Sequence, residues 1–139
     1  MQISESSRKS IVDEFQYVVG QMRAHKEPAR KLYFFSATYG AIHRLLNSEY
    51  DPTLQLVHMV LQGAYNSVNA RYMALGQGVE MGVGLPQNLF EKLEETTEAL
   101  GKAIDKDSGI PDIIERLAVL AYSTTGNGYY LYQKGKLKI

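Results

Sequence analysis

Apolar residues recur along most of this chain at intervals of three and four, which is the period of an α-helix with one buried face. The first run of this kind is Ile11, Phe15, Val18 and Met22. No segment of useful length alternates between apolar and polar positions, as a half-buried strand would. The pattern therefore predicts an all-α protein, and 139 residues is the ordinary size of a single domain, over residues 1–139.

Four prolines mark where most of the helices should begin. Proline is favoured in the first turn of a helix, because its missing N–H has no partner there in any case. The four that precede an apolar run of helical period are Pro28, Pro52, Pro86 and Pro111. We therefore expect a bundle of about five helices, one N-terminal helix followed by two hairpins, over residues 4–24, 28–47, 52–75, 86–104 and from 111 onward.

The end of the fifth helix has two interpretations. Gly126 and Gly128 are poor helix formers, at about 1 kcal/mol each in a helix interior. The tyrosine-rich segment that follows has strand propensity, so residues 129–139 are compatible with a short hairpin. The alternative is that the helix continues through the glycines.

A weak internal repeat favours the continued helix. Ala64-Tyr65 recurs as Ala121-Tyr122, at an offset of 57 residues. If the two hairpins are related in this way, the fifth helix should match the third in length and reach about Gln133.

Composition narrows the class of protein. The chain has no cysteine, which excludes disulfides and thiolate metal sites and fits a reducing cytoplasm. The 15 basic and 15 acidic residues balance, whereas nucleic-acid binding usually requires a basic excess. The apolar stretches are far shorter than the roughly 20 residues of a membrane span, and no signal pattern begins the chain. We expect a soluble, cytoplasmic protein.

Motifs of known chemistry are absent from the sequence. Neither a nucleophile elbow of the form GxSxG nor a phosphate loop occurs, although four glycines fall between Gly76 and Gly84. No glutamate precedes a histidine by three residues, as it does in helical di-iron sites. The sequence therefore predicts no catalytic residue, no metal and no cofactor, and it argues against an enzyme.

The third predicted helix carries the most unusual polar pattern. No charged residue occurs between Pro52 and Arg71, whereas a helix that faces water normally carries lysine and glutamate. We expect this face to be covered by another helix, a second subunit or a ligand. The candidate residues are His58, Gln62, Asn66 and Asn69 at helical spacing, Tyr65 and Arg71 beside them, and Tyr39 and His43 on the second helix.

The second predicted helix is apolar on more than one side. Tyr33, Phe34 and Phe35 project about 100° apart, so they do not share one face. Such a helix lies either centrally in the bundle or at an oligomer interface, and in a domain of this size we favour the interface. We therefore predict a homodimer in which helices two and three take part, with Tyr33, Phe34 and Tyr72 as interface residues.

Two clusters of charge remain. Their members are Arg23, His25, Lys26, Arg30 and Lys31 on the basic side and Glu91, Glu94, Glu95 and Glu98 on the acidic side. We expect solvated faces, with pairing between the two clusters as the alternative.

Two classes of function stay open. The first, which we favour, is an interaction or scaffold protein that self-associates and possesses a surface for another protein. The second is a small-molecule-binding protein or enzyme that uses the polar stripe of the third helix. The second predicts a concave pocket at the stripe, with histidine and arginine pointing into it.

Overall fold

The computed structural model of the chain describes residues 1–78 and 85–137, and its regular structure is entirely helical. The six helices are α1 (Glu5–Ala24), α2 (Pro28–Leu46), α3 (Pro52–Gly76), α4 (Leu89–Lys106), α5 (Ile110–Ser123) and α6 (Gly126–Gln133). The predicted all-α class is confirmed, and the six helices of the described residues agree with the predicted number of about five. None of these helices combines the length and the apolarity that crossing a membrane requires.

The first five helices form a closed ring around one core. α1 packs between α2 and α4, α5 packs between α3 and α4, and α2 contacts α3. The order around the ring is therefore α2, α1, α4, α5, α3. Large, fully buried side chains from all five helices fill the centre, among them Phe15, Phe35, Leu61, Leu93 and Leu117.

Local signals begin the first three helices where the sequence predicts. The Ser4 hydroxyl accepts a hydrogen bond from the Ser7 N–H at 3.2 Å and so caps α1. At the start of α3, the Asp51 carboxylate accepts from the Leu54 N–H at 3.1 Å, with Pro52 directly behind it. Pro28 also occupies the first turn of α2, where the N-cap residue Glu27 makes no side-chain cap hydrogen bond.

The basic and acidic clusters meet across the ring. The Lys31 ammonium of α2 forms an ion pair with Glu94 of α4, and it also donates to the Met22 carbonyl at 2.7 Å. Arg23 of α1 reaches Glu98 of α4 at 2.5 Å. The pairing that the sequence offered as an alternative therefore occurs within the chain and ties α1 and α2 to α4.

The fourth helix begins three residues later than predicted. Pro86 was expected at its first position, but α4 starts at Leu89, after a turn in which the Leu89 N–H donates to the Pro86 carbonyl at 3.1 Å. Of the glycines in the preceding loop, Gly82 and Gly84 lie outside the described residues.

The fifth helix ends at Ser123 and a separate helix begins at Gly126, so the prediction of an unbroken fifth helix is wrong. The Ser123, Thr124 and Thr125 hydroxyls each donate to the carbonyl three residues earlier, at 2.7, 2.8 and 2.6 Å. These three consecutive bonds to the preceding turn accompany the end of α5. The glycines then begin a helix rather than end one, and α6 reaches Gln133.

The C-terminal segment is helical up to Gln133, but as a separate helix and not as a continuation of α5. Residues 126–133 are helical, so the predicted alternative of a hairpin is wrong for them, and residues 134–137 form no strand. The match in length between the third and fifth helices that the repeat required is also not met. Residues 138–139 lie outside the described part of the chain.

Candidate functional site

The polar stripe of α3 faces outward. The side of α3 toward the core consists of Leu54, Val57, Leu61, Ala64, Val68 and Arg71, all buried. Of the predicted stripe, Gln62 and Asn66 are exposed, while His58 and Asn69 are half-buried. No helix of the described chain covers the two exposed amides, so the stripe is not part of the bundle interior.

Two histidines and two tyrosines meet where α2 lies against α3. His43 contacts His58 near the short α2–α3 loop, with ring centroids 5.2 Å apart. Tyr39, one turn before His43, lies 6.3 Å from the His58 ring and 5.6 Å from the Tyr65 ring. The structure thus brings together four of the predicted site residues, which we call the imidazole–phenol cluster.

The environment of this cluster favours the neutral forms of His58 and Tyr39. Burial lowers the pKa of His58, and the adjacent His43 lowers it further. Burial also raises the pKa of Tyr39, with Tyr65 adding to the effect. At neutral pH His58 is therefore an uncharged imidazole among phenols, which suits stacking and hydrogen bonding better than proton transfer.

The cluster lacks the ligands that a metal ion needs. Within residues 1–78 and 85–137, no three histidine, aspartate or glutamate side chains are grouped closely enough to hold a metal. Two adjacent imidazoles alone are an incomplete ligand set.

Arg71 lies apart from the stripe beside which it was predicted. It belongs to the buried side of α3 and is only 7% exposed. Its Nη1 and Nη2 atoms are shielded from solvent and have no hydrogen-bond partner among the described residues. The described residues that line a pocket with Arg71 include no histidine.

Arg71 instead lines a pocket of about 400 Å³ between α3 and the junction of α5 with α6. The other lining residues are Asn66, Ser67, Ala70, Ala74, Thr124 and Thr125. Only Asn66 and Arg71 were candidates from the sequence. The threonines were missed because the packing of α3 against α5 is a long-range contact that periodicity does not specify.

The second feature of α3 is a row of exposed residues, most of them apolar or small. Six exposed residues recur at intervals of three, four, three, four and three, and we call them the α3 seam: Leu56, Met59, Gly63, Asn66, Ala70 and Met73. Leu56, Met59 and Met73 are 48%, 59% and 50% exposed. This is the heptad spacing of a helix that packs along a second helix. The absence of charge is visible in the sequence, but there it pointed to the neighbouring polar stripe and not to these residues.

The predicted interface residues of α2 and α3 divide into two groups. Tyr33 is 70% exposed, in keeping with a surface available to a partner. Phe34 and Tyr72 are half-buried and pack against the core, and Phe34 also stacks on His25 at 5.2 Å. The structure therefore gives Phe34 and Tyr72 roles within the bundle.

Comparison with known proteins adds no family assignment. No protein family model, no curated protein and no solved structure matches this chain. The features of this chain that bear on its function are therefore the α3 seam, the imidazole–phenol cluster and the Arg71 pocket.

Proposed function

We propose that this chain is an interaction protein that acts as a homodimer, with the α3 seam of one copy packed against the same seam of a second. The observation that carries the proposal is the heptad run of exposed apolar and small residues on an uncharged face of α3. A solvated helix face of this length normally contains charged residues, whereas a helix–helix seam excludes them.

The seam is complementary to itself when a second copy runs antiparallel. Its six positions are symmetric about the midpoint between Gly63 and Asn66. Leu56 therefore lies opposite Met73 of the partner subunit, and Met59 lies opposite Ala70 of the partner subunit. A two-fold interface requires this reciprocity, because each pair must occur twice.

The middle of the seam is suited to close approach of two helices. A side chain added at Gly63 would meet no atom of its own chain within 4 Å, so the space above it is open. Asn66, opposite Gly63 of the partner subunit, is a polar residue within an apolar seam, and such a residue fixes the register of paired helices. A cytoplasmic location belongs to the proposal and is supported by the absence of cysteine.

The first test is sedimentation of a charged seam variant. Met59→Glu places two carboxylates in the interface, and since Met59 is exposed, the monomer fold should not change. We expect the wild-type protein to sediment as a dimer at high micromolar concentration and the variant as a monomer. Tyr17→Glu on α1, at an equally exposed aromatic outside the seam, is the matched control and should remain dimeric.

The second test determines the orientation of the two helices, and the cysteine-free chain makes it direct. Leu56→Cys and Met73→Cys proteins are oxidised separately and as a mixture. In the antiparallel dimer the two positions oppose each other, while identical positions are about 25 Å apart at 1.5 Å per residue. Only the mixture should therefore cross-link efficiently. A wild-type monomer at high micromolar concentration, or cross-linking of each variant alone, contradicts the proposal.

A further inference from the structure

Arg71 has an unbalanced charge in the described part of the molecule. The side chain is more than nine-tenths buried, and neither Nη1 nor Nη2 has an acceptor within residues 1–78 and 85–137. Removing a guanidinium from water is costly unless carboxylates or carbonyls replace the lost hydrogen bonds. Chains seldom keep such a cation unless it has a partner, and an anion from outside the chain is one such partner.

The pocket that Arg71 lines has the chemistry of an anion site. Its lining residues include one cation and no carboxylate. Asn66 and Ser67 supply amide and hydroxyl donors, and Ala70 and Ala74 form an apolar wall. At about 400 Å³ the pocket is much larger than a bare oxyanion, so it suits an anionic group attached to an apolar body.

The start of α6 lies beside the pocket and adds positive potential there. Thr125 lines the pocket and is also the N-cap residue of α6, but its hydroxyl donates to the Tyr122 carbonyl and caps no amide of α6. The first amides of an uncapped helix are free donors with a partial positive charge. Thr125 therefore places the start of α6 next to the pocket that Arg71 lines.

We propose that the Arg71 pocket binds a small organic molecule through a carboxylate or phosphate group. The anionic group pairs with the Arg71 guanidinium, which turns about its terminal torsion angles toward the pocket it lines. The apolar body of the ligand rests against Ala70 and Ala74. Asn66 and Ala70 belong both to the α3 seam and to the pocket lining, so a second copy on the seam would share these two residues with the ligand. Arg71 belongs to the pocket alone, and substitutions at Arg71 therefore test anion binding without changing the seam.

The experiment is an NMR titration of the ¹⁵N-labelled full chain with three probes: benzoate, phenyl phosphate and the neutral analogue benzyl alcohol. We expect benzoate or phenyl phosphate to shift the amide signals of residues 66–74 and 124–126 in a saturable way, and benzyl alcohol to leave them unchanged. Whichever anion binds more tightly identifies the preferred group. The proposal is overturned if neither anion shifts these signals, or if benzyl alcohol shifts them as much.

Variants then test the role of the guanidinium. Arg71→Met should reduce affinity for the bound anion at least tenfold, since the charge-assisted pair is lost. Arg116→Met removes a cation from the exposed face of α5 and should bind as the wild type does. Arg71→Gln replaces the methionine variant if that one does not fold. Equal binding by Arg71→Met or Arg71→Gln and by wild type contradicts the proposal.

Discussion

At the scale of single residues, Gly128 lies in the tightest environment of any described glycine. A Cβ atom at this position would lie 2.4 Å from the Ser123 carbonyl oxygen, inside the contact distance of any real side chain. The obstacle is backbone, which has no alternative rotamer. Gly126, two residues earlier, has no atom within 4 Å of the corresponding position. The two glycines are alike in the sequence but differ in their surroundings.

Gly128→Ala should therefore destabilise the protein, while Gly126→Ala should not. We expect a loss of about 1–3 kcal/mol in the free energy of unfolding for the first variant, the usual range for overpacking. The second should change it by less than about 0.5 kcal/mol. Urea denaturation followed by circular dichroism measures both. Equal stability of the two variants would show that α6 does not pack on the end of α5 as described.

At the scale of helices, the short-range part of the architecture was predictable and the long-range part was not. Pro28, Pro52 and the Asp51 cap act within one helical turn, so the sequence specified where α2 and α3 begin. The contact of His43 with His58 followed from the short loop between their helices. The break at Thr124–Thr125 was missed because the helical spacing of the sequence continues across it.

The α2–α3 contact should make stability depend on pH. In the folded protein burial lowers the pKa of His58, and the neighbouring His43 lowers it further. A histidine in the unfolded chain has a pKa of about 6.5. Below that pH the unfolded chain takes up more protons than the folded one, so stability falls as the pH drops. The decline ends below the folded pKa, where both states are protonated.

Urea denaturation over the range from neutral to mildly acidic pH checks this expectation. His58→Gln should flatten the dependence of stability on pH, because the group with the lowered pKa is gone. His25→Gln, at the end of α1 and away from the pair, should keep the wild-type dependence. An unchanged dependence in the His58 variant would contradict the assignment.

At the scale of the whole molecule, the ring makes five helices mutually dependent, whereas α6 is peripheral. Each ring helix packs against two others, and together they bury the described core. α6 packs chiefly against α5, and Gly128 is its only buried residue. Sequence periodicity identified the core-facing residues of the ring helices but gave no indication of which helices become neighbours. The Arg71 pocket depends on that choice, since it forms only where α3 meets α5.

Hydrogen exchange should distinguish the stability of α6 from that of the five ring helices. Local opening has a lower free energy where few buried contacts hold a segment. We therefore expect the amides of α6 to exchange at least tenfold faster than those in the middle of α3 and α4. The measurement is native-state exchange followed by NMR or mass spectrometry. Equal protection of α6 and the ring would mean that α6 is part of the same cooperative unit.

The order of helices around the ring also has a consequence during synthesis. α1 needs α4 to complete its packing, and α3 needs α5, yet about 47 residues separate the end of α3 from the end of α5. At ribosomal rates of about 5–20 residues per second, this interval lasts roughly 2 to 10 seconds. Throughout it, the apolar side of α3 that will face the core, with Val57, Leu61 and Val68, has no α5 to cover it. The nascent chain therefore folds correctly only if, during those seconds, it does not associate with another copy through the core-facing side of α3.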